Sequence, residues 1–312
     1  MKQAPALELR SPRRDEVPAI VELLNAHSRQ VDGIDSATPE FIDTWFDSPG
    51  IDVARDIRVA VDRDGGLLGY VDVGDQADEH LRFWIDLRPH PVDADRAVAR
   101  RLVGAMEERA CELAAPGAVV RGIVSSEDGP TRALYESLGY RYVRSSYRMR
   151  IELDRAPEPP RWPDGIGVRT MQAGEERAVY EVEAESFADH WEWLQDPYEE
   201  WQHWNLGRGF DPDLWFLALS GSDIVGICLC REREWTNPEL GWIATLGVTP
   251  PWRRRGIASA LLRHSFGVLY GRGVDKVGLG VDAENVTGAV ALYERAGMHV
   301  AFRSDTLDKP LD

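Results

Sequence analysis

Three adjacent arginines, Arg253, Arg254 and Arg255, are followed by Gly256, Ile257, Ala258 and Ser259. Before them the apolar run Trp242–Ile243–Ala244–Thr245–Leu246–Gly247–Val248 stops at Thr249–Pro250–Pro251. After them Ile257 to Phe266 has the composition of a helix. A strand that turns straight into a helix leaves the first helical N–H groups without internal partners. Those groups and the positive end of the helix dipole make an anion site. Gly256 and the small Ala258 let a ligand come close to the backbone. Arg253 and Arg255 can add charge and forked donors to a pyrophosphate. The chemistry served is the holding of a phosphate-bearing cofactor; the bland alternative is a solvated basic helix start.

A second group follows. The strand Lys276–Val277–Gly278–Leu279–Gly280–Val281 leads into Asp282–Ala283–Glu284–Asn285, then Ala289, Leu292–Tyr293 and Gly297. Alone, Tyr293 reads as a helix-face aromatic packed on a sheet. Together, Arg253-x-x-Gly256-x-Ala258 and Asn285-x3-Ala289-x2-Leu292-Tyr293-x3-Gly297 resemble the two signatures of the GNAT N-acetyltransferase superfamily. The resemblance implies acetyl-CoA as co-substrate, its pyrophosphate cradled by backbone N–H groups. It assigns cofactor binding to Leu246, Gly247, Val248, Arg253, Arg254, Arg255, Gly256, Ile257, Ala258, Ser259 and Asn285. Tyr293 becomes the general acid for the departing thiolate, and transfer is direct, within a ternary complex, to a primary amine of a small molecule.

An alkylammonium with a pKa of about 10.4 must lose a proton before it attacks. A strand N–H near Leu246 to Val248 can polarise the thioester oxygen as an oxyanion hole does. Some relatives carry a Glu base on the fourth strand. Here the only acid on that strand is Glu239, and position 242 is Trp. Glu239 is therefore the expected base, with Glu232, Glu234 and His190 as other options. The stretch Ser186 to Trp193, with Trp201, His203 and Trp204, reads as an aromatic, acidic lid for an organic amine, or as packing. The tandem layout described next is similar to mycothiol-synthase-like members, which suggests a cysteinyl amine as one alternative acceptor. A non-catalytic acyl-CoA-binding module is another.

The elements that must position these groups occur twice. Each half opens with a short strand and an amphipathic helix, then two strands joined by a turn (Asp64–Gly65–Gly66; Gly221–Ser222–Asp223). A fourth strand leads into a long helix, and a strand, a short helix and a strand pair complete the half. Pro91 to Val103 aligns without gaps with Pro250 to Leu262, and Leu134 to Tyr140 with Leu292 to Met298. The expected fold class is α/β (α+β): two tandem acyl-CoA N-acyltransferase domains, each a mixed, mostly antiparallel sheet flanked by helices. The prolines between Asp154 and Gly165 read as a stiff linker. The expected bounds are 1–154, a degenerate domain; 155–165, linker; and 166–312, the catalytic domain. In the first half Ala97 replaces the glycine, Asp93 and Asp95 put negative charge where a pyrophosphate would sit, and Glu127 stands for Asn285.

The chain has 312 residues, 43% hydrophobic, with a net charge of −17. That charge disfavours nucleic acid and anionic membrane as partners. Cys111, Cys228 and Cys230 make no disulfide framework, and the last two share a strand face as small core side chains. No metal site, signal region or 18-residue apolar span is legible. A cytoplasmic monomer or homodimer is expected.

Overall fold

A computed structural model describes residues 7–76, 79–91, 96–285 and 287–311. The first part of the chain forms β1 (Glu8–Arg10), α1 (Val17–Val31), α2 (Pro39–Phe46), α3 (Val53–Asp56), β2 (Ile57–Val61), β3 (Leu67–Asp75), β4 (Arg82–Pro89), α4 (Ala97–Leu113), β5 (Val119–Ser125), α5 (Gly129–Ser137) and β6 (Arg141–Glu152). The second forms β7 (Ile166–Thr170), α6 (Glu176–Phe187), α7 (Tyr198–Leu206), β8 (Trp215–Ser220), β9 (Asp223–Arg231), β10 (Gly241–Val248), α8 (Ile257–Gly271), β11 (Lys276–Asp282), α9 (Ala289–Arg295) and β12 (His299–Pro310). Among the described residues no helix is long and apolar enough to cross a membrane.

The compact units do not follow the halves of the chain. One comprises residues 1–145 with 303–312, the other 146–302. Strand pairing is the reason. In the first unit the order is β1-β2-β3-β4-β5 and then β12, whose Ser304–Pro310 stretch pairs antiparallel with β5. In the second it is β6-β11-β10-β9-β8-β7, with Ser146–Glu152 of β6 antiparallel to β11. Each sheet thus takes its last strand from the other part of the chain. Against the expected bounds, residues 146–165 belong with the second unit and 303–312 with the first.

In the second unit the two sheet faces bury different sets. Leu261, Leu262, Phe266 and Leu269 of α8 pack on Cys228, Cys230, Ile243 and Leu279. Val179 of α6 and Trp201 of α7 pack on Leu217, Ile227 and Leu229. Each fully buried side chain of this size contributes about 1.5–3 kcal/mol. Cys228 and Cys230 lie on one face, buried, as residues two apart on a strand must. The proline-rich segment is not a free spacer. Trp162 packs on the α8 core, 5.9 Å ring to ring from His264, and Glu158 pairs with Arg263.

Candidate active site

The site begins where two parallel strands part. β10 and β11 pair from Gly241/Val277 to Ile243/Leu279 and no further, although β10 runs to Val248 and β11 to Asp282. On its other edge β10 skips a register step against β9 at Ala244, a bulge. Bulges bend a strand and leave the extra residue unpaired. The splay opens a cleft of about 970 Å³ lined by Ala244, Leu246, Gly247 and Val248 on one side and by Leu279 to Asp282 on the other. On the β11 side, the β10 edge past Ile243 offers backbone groups that no strand uses among the described residues.

At the end of β10 the chain turns into α8. Arg254 (φ 59°) and Gly256 (φ 89°) are both left-handed, and Gly256 is the N-cap. Only glycine adopts that geometry without strain. Among the described residues no side chain caps α8, so its first N–H groups are left for a ligand. Arg254, Gly256, Ile257, Ala258 and Ser259 all line the cleft. An uncapped 15-residue helix facing a long cleft, with no Cβ at its cap, fits the pyrophosphate of a nucleotide cofactor.

Two arginines do not do what their spacing suggested. Arg253 lines the cleft, but all three guanidinium nitrogens are engaged within the protein. Nε donates to the Val248 carbonyl (3.1 Å), Nη2 to the Ser186 carbonyl (2.9 Å), and Nη1 and Nη2 grip Asp189 (2.5 and 2.8 Å). It ties the end of α6 to the end of β10. Arg255 stacks on Trp252 at 4.6 Å and donates to the Pro251 carbonyl, outside the lining. Arg254 is the arginine of the three that faces the cleft without a protein partner among the described residues.

Tyr293, on α9, lines the cleft with 7% of its surface exposed. No described protein group holds its hydroxyl. Burial, with the nearby Cys228 thiol, raises its pKa, so it remains a proton donor at neutral pH. Asn285 also lines the cleft. Its Oδ1 accepts from the Thr287 N–H (2.8 Å) and hydroxyl, which fixes the turn and leaves its amide nitrogen uncommitted among the described residues.

The carboxylates expected as bases lie elsewhere. Glu239 precedes β10, with its side chain 80% exposed and 3.7 Å from Lys276, and does not line the cleft. Glu232 pairs with Arg272, and Glu234 accepts from Thr236, Asn237 and Arg148. His190 does line it, its ring edge-on to Phe187 at 4.6 Å. Burial lowers its pKa, which favours the neutral, proton-accepting form. The anticipated aromatic lid divides: Ser186, Phe187, Asp189 and His190 line the cleft, whereas Trp201 is buried in the core and donates to the half-buried Glu183 at 2.7 Å.

Residues 165–298 match the Acetyltransferase (GNAT) family. A mycothiol acetyltransferase of Geodermatophilus obscurus is 31% identical over 300 residues, 90% of each chain. One of Thermobispora bispora is 32% identical over 217 residues, 68% of this chain and 71% of that one. The chain belongs to the GNAT acetyltransferase family. A GCN5-related N-acetyltransferase of Sphaerobacter thermophilus has the same architecture, with a TM-score of 0.82 at 35% identity over 98% of this chain and 96% of that one. A tandem GNAT protein from the clavulanic acid pathway shares the fold, with a TM-score of 0.77 at 15% identity. As a GNAT enzyme the protein is an N-acetyltransferase with acetyl-CoA as its co-substrate, and the cleft of the second unit has the shape and donors to hold that molecule.

Proposed function

We propose that the second unit transfers the acetyl group directly from acetyl-CoA to a primary amine of a small molecule, with both substrates bound at once. One observation carries this reading: the uncapped start of α8, the unpaired edge of β10 and the Tyr293 hydroxyl share one cleft. Bound there, acetyl-CoA supplies a thioester whose carbonyl an amine can attack. Leu246, Gly247 and Val248 align it along the strand edge, and the N–H groups from Gly256 to Ser259, with Arg254 and Asn285, hold its polar arm. His190, in place of the distant Glu239, takes a proton from the ammonium. The nitrogen then forms the C–N bond, the C–S bond breaks, and Tyr293 protonates the leaving thiolate. The second nitrogen proton, released as the amide forms, restores Tyr293.

The first unit is a degenerate copy that does not hold acetyl-CoA efficiently. Asp93 and Asp95 lie outside the described residues. The neighbouring Arg96, the α4 N-cap, is drawn towards the buried Asp128 (3.7 Å). The strong negative charge argues for a small amine rather than nucleic acid, and the unpaired thiols suit a reducing, cytoplasmic setting.

The relatives named mycothiol acetyltransferases favour a second reading, in which the acceptor is the amine of a cysteinyl conjugate. Thiol release from acetyl-CoA with a panel of amines, a cysteinyl conjugate among them, tests both. Turnover on a simple alkylamine supports the broad reading. Turnover on the cysteinyl conjugate alone supports the narrow one. Tight acetyl-CoA binding with no turnover on any amine would make the protein a binding module instead.

A further inference from the structure

The start of β10, outside the cofactor cleft, carries side chains that the acetyl-transfer chemistry does not use. Arg231 ends β9 directly opposite Trp242, and residues opposite each other in an antiparallel pair share a face. Ile227 and Leu229 on that face pack with Val179 and Trp201, so it is the face covered by α6 and α7. The Arg231 guanidinium lies 4.6 Å over the Trp235 ring and gives one hydrogen bond, 2.5 Å, to the Trp204 carbonyl. No other protein acceptor meets it among the described residues, and its unbonded nitrogens are not sealed from solvent. Burial pulls its pKa down to about 10, with the nearby Glu234 only partly offsetting that.

Arg148 of β6 extends the patch. It lies 4.7 Å over the Trp242 ring and donates to Glu234 at 2.9 Å. Trp242 in turn borders the cleft: a Cβ on Gly280, which lines it, would stand 4.0 Å from that ring. Glu234 is thus taken up by Arg148, Thr236 and Asn237, and Arg231 has no carboxylate bonded to it among the described residues. Several partly buried arginines elsewhere pair directly with a carboxylate: Arg253 with Asp189, Arg109 with Asp56, Arg121 with Asp308. An excess cation on aromatic faces, in a chain of net charge −17, is the environment in which a guanidinium grips a planar carboxylate with two parallel N–H bonds.

We propose that this patch recognises the acceptor: Arg231 binds a carboxylate of the amine substrate, whose chain runs along Trp242 into the cleft. The inference rests on the acetyltransferase reading of that cleft. Along β10, Ala244 and Leu246 lie two and four residues beyond Trp242, about 7–13 Å at the rise of a strand. The amine and the carboxylate must therefore be separated by a spacer of that order, which an α-amino acid lacks.

The test uses the full chain and Arg231→Gln, which keeps a flat side chain without the charge. Binding of 6-acetamidohexanoate and of its methyl ester is followed by tryptophan fluorescence, a readout that needs no turnover. The acid is expected to bind saturably, about tenfold or more tighter than the ester, as for a charge-assisted contact. Arg231→Gln should erase that difference while melting temperature and acetyl-CoA affinity stay unchanged. In turnover, 6-aminohexanoate should exceed its methyl ester in kcat/KM by a similar factor, through KM, and the variant should level them. Equal binding of acid and ester, or a preference that survives in Arg231→Gln, overturns the inference while leaving acetyl transfer intact. Absence of turnover on every amine tells against the acetyltransferase reading instead, and the binding arm still decides the carboxylate.

Discussion

The two strand-to-helix turns of this protein have opposite fates. In the second unit Gly256 caps α8 in a left-handed conformation, its end is open, and Tyr293 looks into the cleft beyond. In the first, a side-chain-bearing residue, Arg96 (φ 58°), takes the left-handed position before α4. Its guanidinium faces the buried Asp128, which His27 also contacts at 3.3 Å. Tyr135, the counterpart of Tyr293, is wholly buried: its ring covers Gly122 so closely that a Cβ there would meet it at 2.7 Å. Its hydroxyl is sealed without a partner among the described residues. Among the described residues no side chain caps either helix, so the difference lies in glycine against arginine at the cap and in the tyrosine: Tyr293 meets the open cleft, and Tyr135 is closed into the core.

The comparison breaks most sharply at the turn. Gly256→Asp puts a side chain at positive φ, worth about 1–3 kcal/mol, and a carboxylate against a pyrophosphate, worth about 4 kcal/mol at an effective dielectric near 20. Acetyl-CoA affinity should fall by about 1,000-fold or more in calorimetry, and the native protein should bind one equivalent per chain. Two equivalents would mean that the first unit is no degenerate copy.

Next come the tyrosines. Tyr293→Phe removes the proton donor and should lower kcat by about 100-fold or more with little change in acetyl-CoA affinity. Tyr135→Phe removes a buried, unbonded hydroxyl, so kcat should be unchanged and stability equal or higher by about 1 kcal/mol. A kcat loss in Tyr135→Phe would give the first unit a role in the reaction.

His190 sharpens the assignment of the base. Because burial lowers its pKa below the usual 6.5, the wild-type rate should climb with pH only on the acid side of that value and level off above it. His190→Gln should lose that limb and about 100-fold in kcat/KM. Glu239→Gln, a change at an exposed carboxylate, should do neither.

The smallest effect belongs to the first unit. Burial disfavours the Asp128 carboxylate, yet hydrogen bonds from His27 and Thr131 overcome this and hold its pKa at about 2. A depressed carboxyl pKa stabilises the fold at pH values above the unfolded-state value and is lost as the pH falls through the folded one. Asp128→Asn should therefore melt earlier at neutral pH, and the gap should close between pH 4 and pH 2. Acetyl transfer should not change.

Much of the scaffold was legible because it depends on local pattern. The turn at Gly65 and the start of α8 follow from glycine and an alternation of apolar residues. The strands 57–61 and 276–281 fall within β2 and β11. The cofactor turn was legible for the same reason: strand, glycine and helix are contiguous. The roles of side chains were not. Spacing marked Arg253 and Arg255 for the phosphates, and only folding shows that Asp189, distant in sequence, occupies the first. Glu239 is near the right strand, yet it lies before the residues where β10 and β11 part.

The sequence by itself thus determined the repeated plan and the helix N-terminus that can hold a phosphate, because backbone N–H groups need no partner choice. Only the tertiary structure decided which sheet each terminal strand completes. It also decided which arginine remains unpaired, which tyrosine meets open space, and that His190 rather than Glu239 faces the cleft. Those outcomes turn on contacts between residues far apart in the chain, where burial and pairing, not spacing, settle what a side chain can do.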